Sequence, residues 1–104
     1  MQARSDEMQM VFERAAEWFA VLSTPQRLRI ISALCRGEKN VGELIEALGV
    51  SQPNMSQHLN IMYRAGLVDK RRQGTQVYYS IADESAVRVC RAVCTQVAIE
   101  MSVG

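Results

Sequence analysis

The sequence predicts a mainly α-helical chain with one small β-hairpin near residue 74. Apolar residues recur at spacings of three and four over most of the 104 residues, which is the period of helices that are buried on one side. After Gly66 the period changes to two, and β-branched and aromatic residues become frequent, as is typical of strands. The length suits one small domain, residues 1–104, with a single core.

Composition and charge exclude several classes of protein. Hydrophobic residues make up 48% and charged residues 22% of the chain, so a disordered or fibrous protein is not expected. No apolar run reaches the roughly 18 to 20 residues of a membrane span, and the first ten residues do not resemble a signal peptide. We therefore expect a cytoplasmic protein with no membrane partner.

Enzymatic activity is not expected either. The chain has one histidine, which leaves no plausible catalytic triad, and it has no glycine-rich phosphate loop. It also lacks the Cys-x-x-Cys pair of dithiol oxidoreductases.

The first two helices are predicted from apolar spacing and from a proline. A helix over about residues 6–22 has apolar positions that alternate by four and three, at Met8, Phe12, Ala15, Phe19 and Leu22. Pro25 follows Ser23 and Thr24, as expected for a cap and the first turn of a second helix. That helix is predicted to run to about Arg36, before Gly37.

Two short helices with a tight connection are predicted next. Asn40-Val41-Gly42-Glu43 has the form of a capping box and begins a helix that ends at Gly49. Ser51 then caps a helix that runs to about Ala65, before Gly66. Because so few residues join them, these helices must cross steeply. They form a helix-turn-helix over about residues 41–65.

A hairpin and a final helix complete the chain. Residues 68–72 and 76–81 are predicted strands, so the hairpin covers about 68–81 with its tip near Gly74. Asp83 caps a last helix over about residues 84–101, whose apolar stripe is wide: Ala86, Val89, Cys90, Val93, Cys94, Val97, Ala98 and Met101. Such a stripe predicts a homodimer that forms through the first and last helices.

The order of elements predicts a winged helix-turn-helix, in which the hairpin is the wing. In this arrangement the second helix of the pair enters the major groove of double-stranded DNA. Met55, Leu59 and Met62 share the inner face of that helix. The outer face has no charge but carries hydrogen-bonding groups suited to base edges, at Gln52, Ser56, Gln57 and Asn60, together with Pro53. His58 lies beside the inner face, where we expect a packed, hydrogen-bonded side chain.

Positive charge is concentrated in the segment that contains the second helix of the pair and the wing. Residues 51–81 contain Arg64, Lys70, Arg71 and Arg72 against Asp69 alone, a local net charge of +3. On the wing these cations can meet DNA phosphates. The predicted DNA-binding residues are Ser51, Gln52, Asn54, Ser56, Gln57, Asn60, Lys70, Arg71, Arg72, Gln73 and Thr75. A winged helix that serves only as a protein-interaction module is the alternative.

Three segments resemble the ArsR/SmtB family of small bacterial repressors: STPQRLRIISAL, GVSQPNMSQHLNIMYRAGLV and KRRQGTQVYYSI. The resemblance covers about residues 12–98. It implies a homodimeric winged-helix repressor, held together by its first and last helices. Such a repressor binds an imperfect inverted repeat in a promoter and leaves it when an inducer binds.

The metal sites of that family are not matched. An arsenic-sensing branch has cysteines at three positions that hold other residues here, Asn40, Gly42 and Ile45. A zinc- or cobalt-sensing branch has histidines where this chain has Ser85, Gln96 and Ile99, although Asp83 is retained. The resemblance therefore implies no metal site and no cofactor.

Cys35, Cys90 and Cys94 are the candidate inducer-sensing thiols. They resemble the reactive-sulfur-sensing branch of the family, but the positions do not coincide: its two cysteines fall at Ser32 and near Ala98 of this chain. Cys35 is one turn later than the first and Cys94 one turn earlier than the second, and these shifts keep the pair facing each other if the two helices run antiparallel. Reactive sulfur species are the favoured inducer. A thiophilic metalloid such as As(III) is the alternative, and it also remains open that the cysteines are only small core residues.

The pair Cys35 and Cys94 is predicted to be the switch, with Cys90 as a neighbour that assists or replaces Cys94. A direct Cys90–Cys94 disulfide is not expected, because Cβ atoms four residues apart on a helix are about 5–6 Å apart and a disulfide needs about 3.5–4.5 Å. Nearby cations can lower a thiol pKa, and the sequence offers Arg36, Arg88 and Arg91.

Overall fold

The computed structural model describes the backbone of residues 2–103 and the side chains of residues 4–102, so positions 1 and 104 of the predicted domain lie outside the described residues. The elements in chain order are α1 (Gln2–Val21), α2 (Pro25–Leu34), β1 (Lys39–Asn40), α3 (Val41–Leu48), α4 (Gln52–Arg64), β2 (Val68–Gln73), β3 (Gln76–Ile81) and α5 (Glu84–Val103). The fold is mainly helical with a small sheet, as predicted. The helix ends differ from the predicted ends by four residues at most.

Local hydrogen bonds explain where the helices begin. The Thr24 hydroxyl accepts a hydrogen bond from the Arg27 backbone N–H at 3.2 Å at the start of α2. The predicted capping box of α3 is present: Asn40 Oδ1 accepts from the Glu43 N–H at 2.8 Å, and Glu43 Oε1 accepts from the Asn40 N–H at 2.9 Å. Asp83 Oδ1 accepts from the Ser85 N–H at 2.9 Å at the start of α5.

The turn between α3 and α4 has the predicted form. Gly49 ends α3 with a φ of +67°, a left-handed conformation that other residues seldom adopt. The Ser51 hydroxyl then accepts from the Asn54 N–H at 3.4 Å and caps α4. This connection fixes the direction in which α4 leaves the helix pair.

The sheet has three strands, whereas the sequence predicted a two-stranded hairpin. β2 and β3 pair antiparallel around the Gly74–Thr75 tip, and β1 pairs with the other edge of β3, Lys39 opposite Tyr79. A strand of two residues has no periodicity of its own, so the sequence pattern does not reveal it. β1 ties the wing to the segment that opens α3.

The core joins α2, α3, α4 and the base of the wing. It contains Ile30, Ile31 and Leu34 from α2, Leu44 from α3, Met55, Leu59 and Met62 from α4, and Leu67 and Val68 before and in β2. The predicted inner face of α4 is confirmed, because all three of its residues have an exposed fraction of 0%. The opposite face of α4 is thereby directed away from the core.

The two long helices at the ends of the chain are only partly buried. In α5, Ala86, Val87 and Cys90 are buried, whereas Val93, Val97, Ile99 and Met101 are exposed. Of the predicted apolar stripe of α1, only Leu22, directly after the helix, is buried, and Phe12 and Phe19 are 62% and 61% exposed. In the described part of the chain, no helix has the length and apolar character needed to cross a membrane.

Candidate nucleic-acid interface

The outer face of α4 consists of exposed polar side chains. Within the described part of the chain, none of these side chains has a hydrogen-bond partner: Gln52, Asn54, Ser56, Gln57 and Asn60. The predicted residue Ser51 is also exposed, and its hydroxyl oxygen is engaged as the helix cap. The amide and hydroxyl groups of this face are therefore free to meet an external donor or acceptor.

His58 lies between that face and the core. Its side chain is partly buried, as predicted, but the expected hydrogen bond is not formed, because buried Nδ1 has no partner in the described residues. Burial, and secondarily the Arg27 charge, lower the pKa of His58. The imidazole is therefore neutral at pH 7 and adds no positive charge to α4.

The pleat of β2 separates the three consecutive basic residues onto two faces of the wing. Lys70 and Arg72 share the face of buried Val68, and Arg71 is on the opposite face with Gln73. The Lys70 ammonium lies 4.3 Å from the centroid of the Tyr63 ring on α4. Lys70 is thus placed where the wing approaches the C-terminal turn of α4.

Arg72 is the unengaged cation of the wing. It is exposed and, among the described side chains, has no ion pair or hydrogen bond. Gln73 and Thr75 are exposed at the tip, one on each side of Gly74. Gly74 has a φ of +63°, and Thr75 does not have a positive φ, as in a type II′ hairpin turn.

Arg71 is held by the protein itself. Its Nε donates to Glu38 Oε2 at 2.8 Å and its Nη2 donates to Glu38 Oε1 at 2.6 Å. Nη1 donates to Gln73 Oε1 at 2.7 Å, and the guanidinium carbon lies 4.7 Å from the centroid of the Tyr78 ring. This pairing lowers the pKa of Glu38 and raises the pKa of Arg71. Sequence reasoning missed Glu38, because nothing in local spacing connects two residues 33 positions apart.

A second feature of the structure is separate from the outer face of α4 and the wing: one cavity between α2 and α5 is lined by all three cysteines. Its volume is about 340 Å³. The lining residues are Leu28, Ile31, Ser32 and Cys35 from α2 and the segment after it, and Val87, Cys90, Arg91, Cys94, Thr95 and Ala98 from α5. Ser32 and Ala98 line the same cavity, and the resemblance to the reactive-sulfur-sensing branch implies that its two cysteines fall at Ser32 and near Ala98.

The three thiols differ in exposure. Cys35 and Cys94 are exposed and Cys90 is buried. Burial raises the pKa of Cys90, and the neighbouring Cys94 and Cys35 raise it further. For this thiol the expected lowering by nearby arginines is not found, because loss of hydration and the two neighbouring cysteines all act to raise the pKa. Cys90 is therefore held as a neutral thiol at pH 7.

A metal site is not evident among the side chains that the structure describes. No group of three or more His, Cys, Asp and Glu side chains is placed to hold a metal ion there. The three cysteines line one cavity, but they do not form such a group. This geometry does not favour an As(III) ion bound by three thiolates.

The chain is similar to known DNA-binding regulators. A family model described as bacterial regulatory protein, arsR family, matches residues 24–70. The biofilm growth-associated repressor of Agrobacterium fabrum is 40% identical over 83 residues, which cover 77% of this chain and 71% of that protein.

Two solved structures extend the similarity to the fold. The transcriptional repressor BigR from Xylella fastidiosa has a TM-score of 0.78 at 32% identity, covering 88% of this chain and 93% of that one. The homodimeric winged helix-turn-helix DNA-binding domain Mb0332 from Mycobacterium bovis has a TM-score of 0.85 at 29% identity, covering 100% and 96%.

Proposed function

The chain belongs to the ArsR/SmtB family of transcriptional repressors, and we propose that it binds an inverted-repeat operator as a homodimer and is released by a thiol-directed inducer. Members of this family are DNA-binding regulators and not enzymes. In this proposal the partner is double-stranded operator DNA, the protein acts in the cytoplasm, and residues 1–104 form one winged-helix domain. The favoured inducer is a reactive sulfur species.

The observation that carries DNA binding is the outer face of α4. This exposed, uncharged helix face carries free amide and hydroxyl groups, which are the donors and acceptors that pair with base edges in the major groove. Gln52, Ser56, Gln57 and Asn60 are assigned to the major groove, with Ser51 and Asn54 at the start of the helix. Lys70, Arg72, Gln73 and Thr75 are assigned to the phosphates beside the groove.

The exposed apolar faces of α1 and α5 support the homodimer. Phe12, Phe19, Val93 and Val97 are each at least 45% exposed in the single chain. Leaving so much apolar surface in water is unfavourable, and packing against a second copy removes it. A two-fold dimer also presents two α4 helices to successive major grooves, about 34–36 Å apart.

The shared cavity supports a switch made of Cys35 and Cys94. A thiolate attacks the sulfane sulfur of a persulfide or polysulfide: an S–S bond to the cysteine forms, and the S–S bond of the donor breaks. The electron pair leaves on the donor sulfur that was bonded to the transferred sulfur, so the donor departs as a thiolate or a shorter polysulfide and the cysteine becomes a persulfide. The second cysteine thiolate then attacks the inner sulfur of the protein persulfide, releases HS⁻ and leaves a Cys35–Cys94 bridge. Both cysteines are oxidised and the sulfane sulfur is reduced.

The test is selection of duplexes from a random pool followed by mobility shift. The proposal predicts an enriched inverted repeat whose binding weakens steeply with salt, because phosphate contacts release counterions. Sodium tetrasulfide is expected to release the bound DNA. A protein that enriches no sequence and shows no salt-dependent binding is an interaction module instead. Release by arsenite, and not by tetrasulfide, would contradict the assigned inducer.

A further inference from the structure

The charge around the cavity between α2 and α5 limits which class of sulfur donor can bind beside the cysteines. Arg91 is the one charged side chain among the ten residues that line the cavity. It follows Cys90 directly in α5 and is exposed. The other lining groups besides the thiols are aliphatic side chains and the hydroxyls of Ser32 and Thr95. No acidic side chain lines the cavity to neutralise the guanidinium.

We propose that the cavity selects an anionic sulfane-sulfur donor and that Arg91 holds its negative charge while a cysteine attacks. This inference rests on the proposed thiol switch and names the class of its inducer. Inorganic polysulfide and the persulfide of an acidic small thiol share this chemistry, because both join a negative charge to a transferable sulfur. In each case the new S–S bond forms between the cysteine and the transferred sulfur, the S–S bond of the donor breaks, and the rest of the donor departs as an anion with that electron pair.

Two independent effects of Arg91 can be separated by the charge of the donor. An arginine that only favours the thiolate speeds reaction with anionic and neutral donors equally. An arginine that binds the donor speeds reaction with anionic donors alone, because a neutral donor gains no Coulomb energy. The ratio of anionic to neutral reaction rates therefore reports binding of the donor.

The experiment measures these rates by intact mass on the DNA-free protein. The donors are sodium tetrasulfide, glutathione persulfide and the neutral dimethyl trisulfide. Arg91→Gln is expected to slow both anionic donors about fivefold relative to the neutral one, the factor for one unit charge near 4 Å in a high dielectric. Arg91→Lys is expected to restore most of the rate.

Arg88→Gln is the matched control. Arg88 is one turn away on α5, donates to the Ser85 hydroxyl at 2.9 Å and does not line the cavity, so its removal should leave the ratio unchanged. Equal slowing of all three donors by Arg91→Gln would overturn the inference, as would no slowing. An effect on tetrasulfide alone identifies an inorganic source. If the modified protein still binds operator, the proposed switch is wrong. The selectivity for anionic donors is tested separately, because it depends only on the reaction rates of the three donors.

A different observation concerns the wing. Arg71 has contacts to Glu38, Gln73 and Tyr78, so its guanidinium is occupied before any DNA arrives. Glu38 immediately precedes β1, which pairs with β3 of the wing. The ion pair and the strand pairing together join the wing to the start of α3.

We infer that Glu38 and Arg71 are positioning residues that fix the wing relative to α4. Arg71 is then not a phosphate contact, contrary to the sequence-based prediction, and the wing contacts phosphates through Lys70 and Arg72. Glu38, an acidic residue, therefore supports DNA binding.

Removing the Glu38 charge tests this directly. Glu38→Gln is expected to weaken operator binding about threefold, within the range for an exposed ion pair, with the salt slope unchanged. Glu46→Gln is the control: Glu46 is exposed on α3 and has no ion pair or hydrogen bond among the described side chains. It removes the same charge and should weaken nothing.

The Arg71 side of the pair gives a second measurement. Arg71→Gln should weaken binding without changing the salt slope, and the double variant Glu38→Gln/Arg71→Gln should be no weaker than either single one. Tighter binding by Glu38→Gln, with a salt slope steeper by about one, would show that Arg71 is freed to contact phosphate and would overturn the inference.

Discussion

At the scale of single residues, Gln57 is the most direct probe of base recognition. It is exposed on α4, and its amide has no partner in the described side chains. Gln57→Ala is expected to cost about 1–3 kcal/mol of operator affinity and to leave random-sequence affinity unchanged, because the contact assigned to Gln57 is with a base edge, which only the operator sequence offers. Competition binding with both duplexes measures this. Equal loss on both would place Gln57 outside the groove.

Arg72 belongs to the same scale but to a different kind of contact. Arg72→Ala should weaken operator and random DNA alike and reduce the salt slope by about one, as expected when one phosphate contact is lost. Titration at several salt concentrations gives the slope. An unchanged slope combined with altered sequence preference would contradict the assigned role.

The thiols differ as residues in a way that labelling can measure. Cys90 is buried with a raised pKa, whereas Cys35 and Cys94 are exposed. The thiolate is the reactive form, so alkylation with iodoacetamide at pH 7 should reach Cys90 last. Peptide mass mapping over time checks the order. Cys90 labelled as fast as the other two would show that the site opens in solution.

At the scale of elements, the sequence predicted best where local chemistry decides. The bounds of α3 and α4 are predicted by the capping box at Asn40, by Gly49 and by Ser51, all of which act on residues close to them in sequence. The two-residue β1 depends on pairing with distant β3, and the Glu38–Arg71 pair spans separate elements. Neither leaves a local signal. The positions of the site residues on α4 were predictable, but the division of the basic run between two wing faces was not recognised.

The helices α1 and α5 show a related limit. Their apolar stripes were predicted, but periodicity cannot distinguish a face that packs on its own core from one that packs on a second chain. In the described structure the outer parts of both stripes are exposed. The partner that completes them is, in our proposal, another copy.

An α5 substitution tests that assignment. Val93 is 53% exposed in the single chain, so Val93→Asp should be tolerated by the fold but should bury an unpaired charge in the dimer. We expect monomers that do not bind operator. Val93→Thr, which keeps the volume without a charge, should remain dimeric. Sedimentation at micromolar concentration decides, and a monomeric parent protein would remove the basis for the assignment.

At the scale of the whole molecule, the cavity connects the two halves of the function. α2 packs in the core with α4, and α5 carries the exposed stripe assigned to the dimer. A Cys35–Cys94 bridge therefore ties the DNA-reading half to the interface half. The two α4 helices of the dimer must be spaced by one turn of DNA to reach both half-sites of the operator. A small change in the angle between these helices is therefore enough to weaken operator binding.

The central claim is that modification of this cavity controls DNA binding. The decisive measurement is operator affinity before and after tetrasulfide, with intact mass recorded on the same samples, for the parent protein and Cys35→Ser. We predict that the parent loses at least about tenfold in affinity, or ~1.4 kcal/mol, within the usual range for allosteric coupling. Cys35→Ser should bind DNA normally and keep its affinity. Full release by Cys35→Ser, or a fully modified parent that still binds operator, would contradict the account.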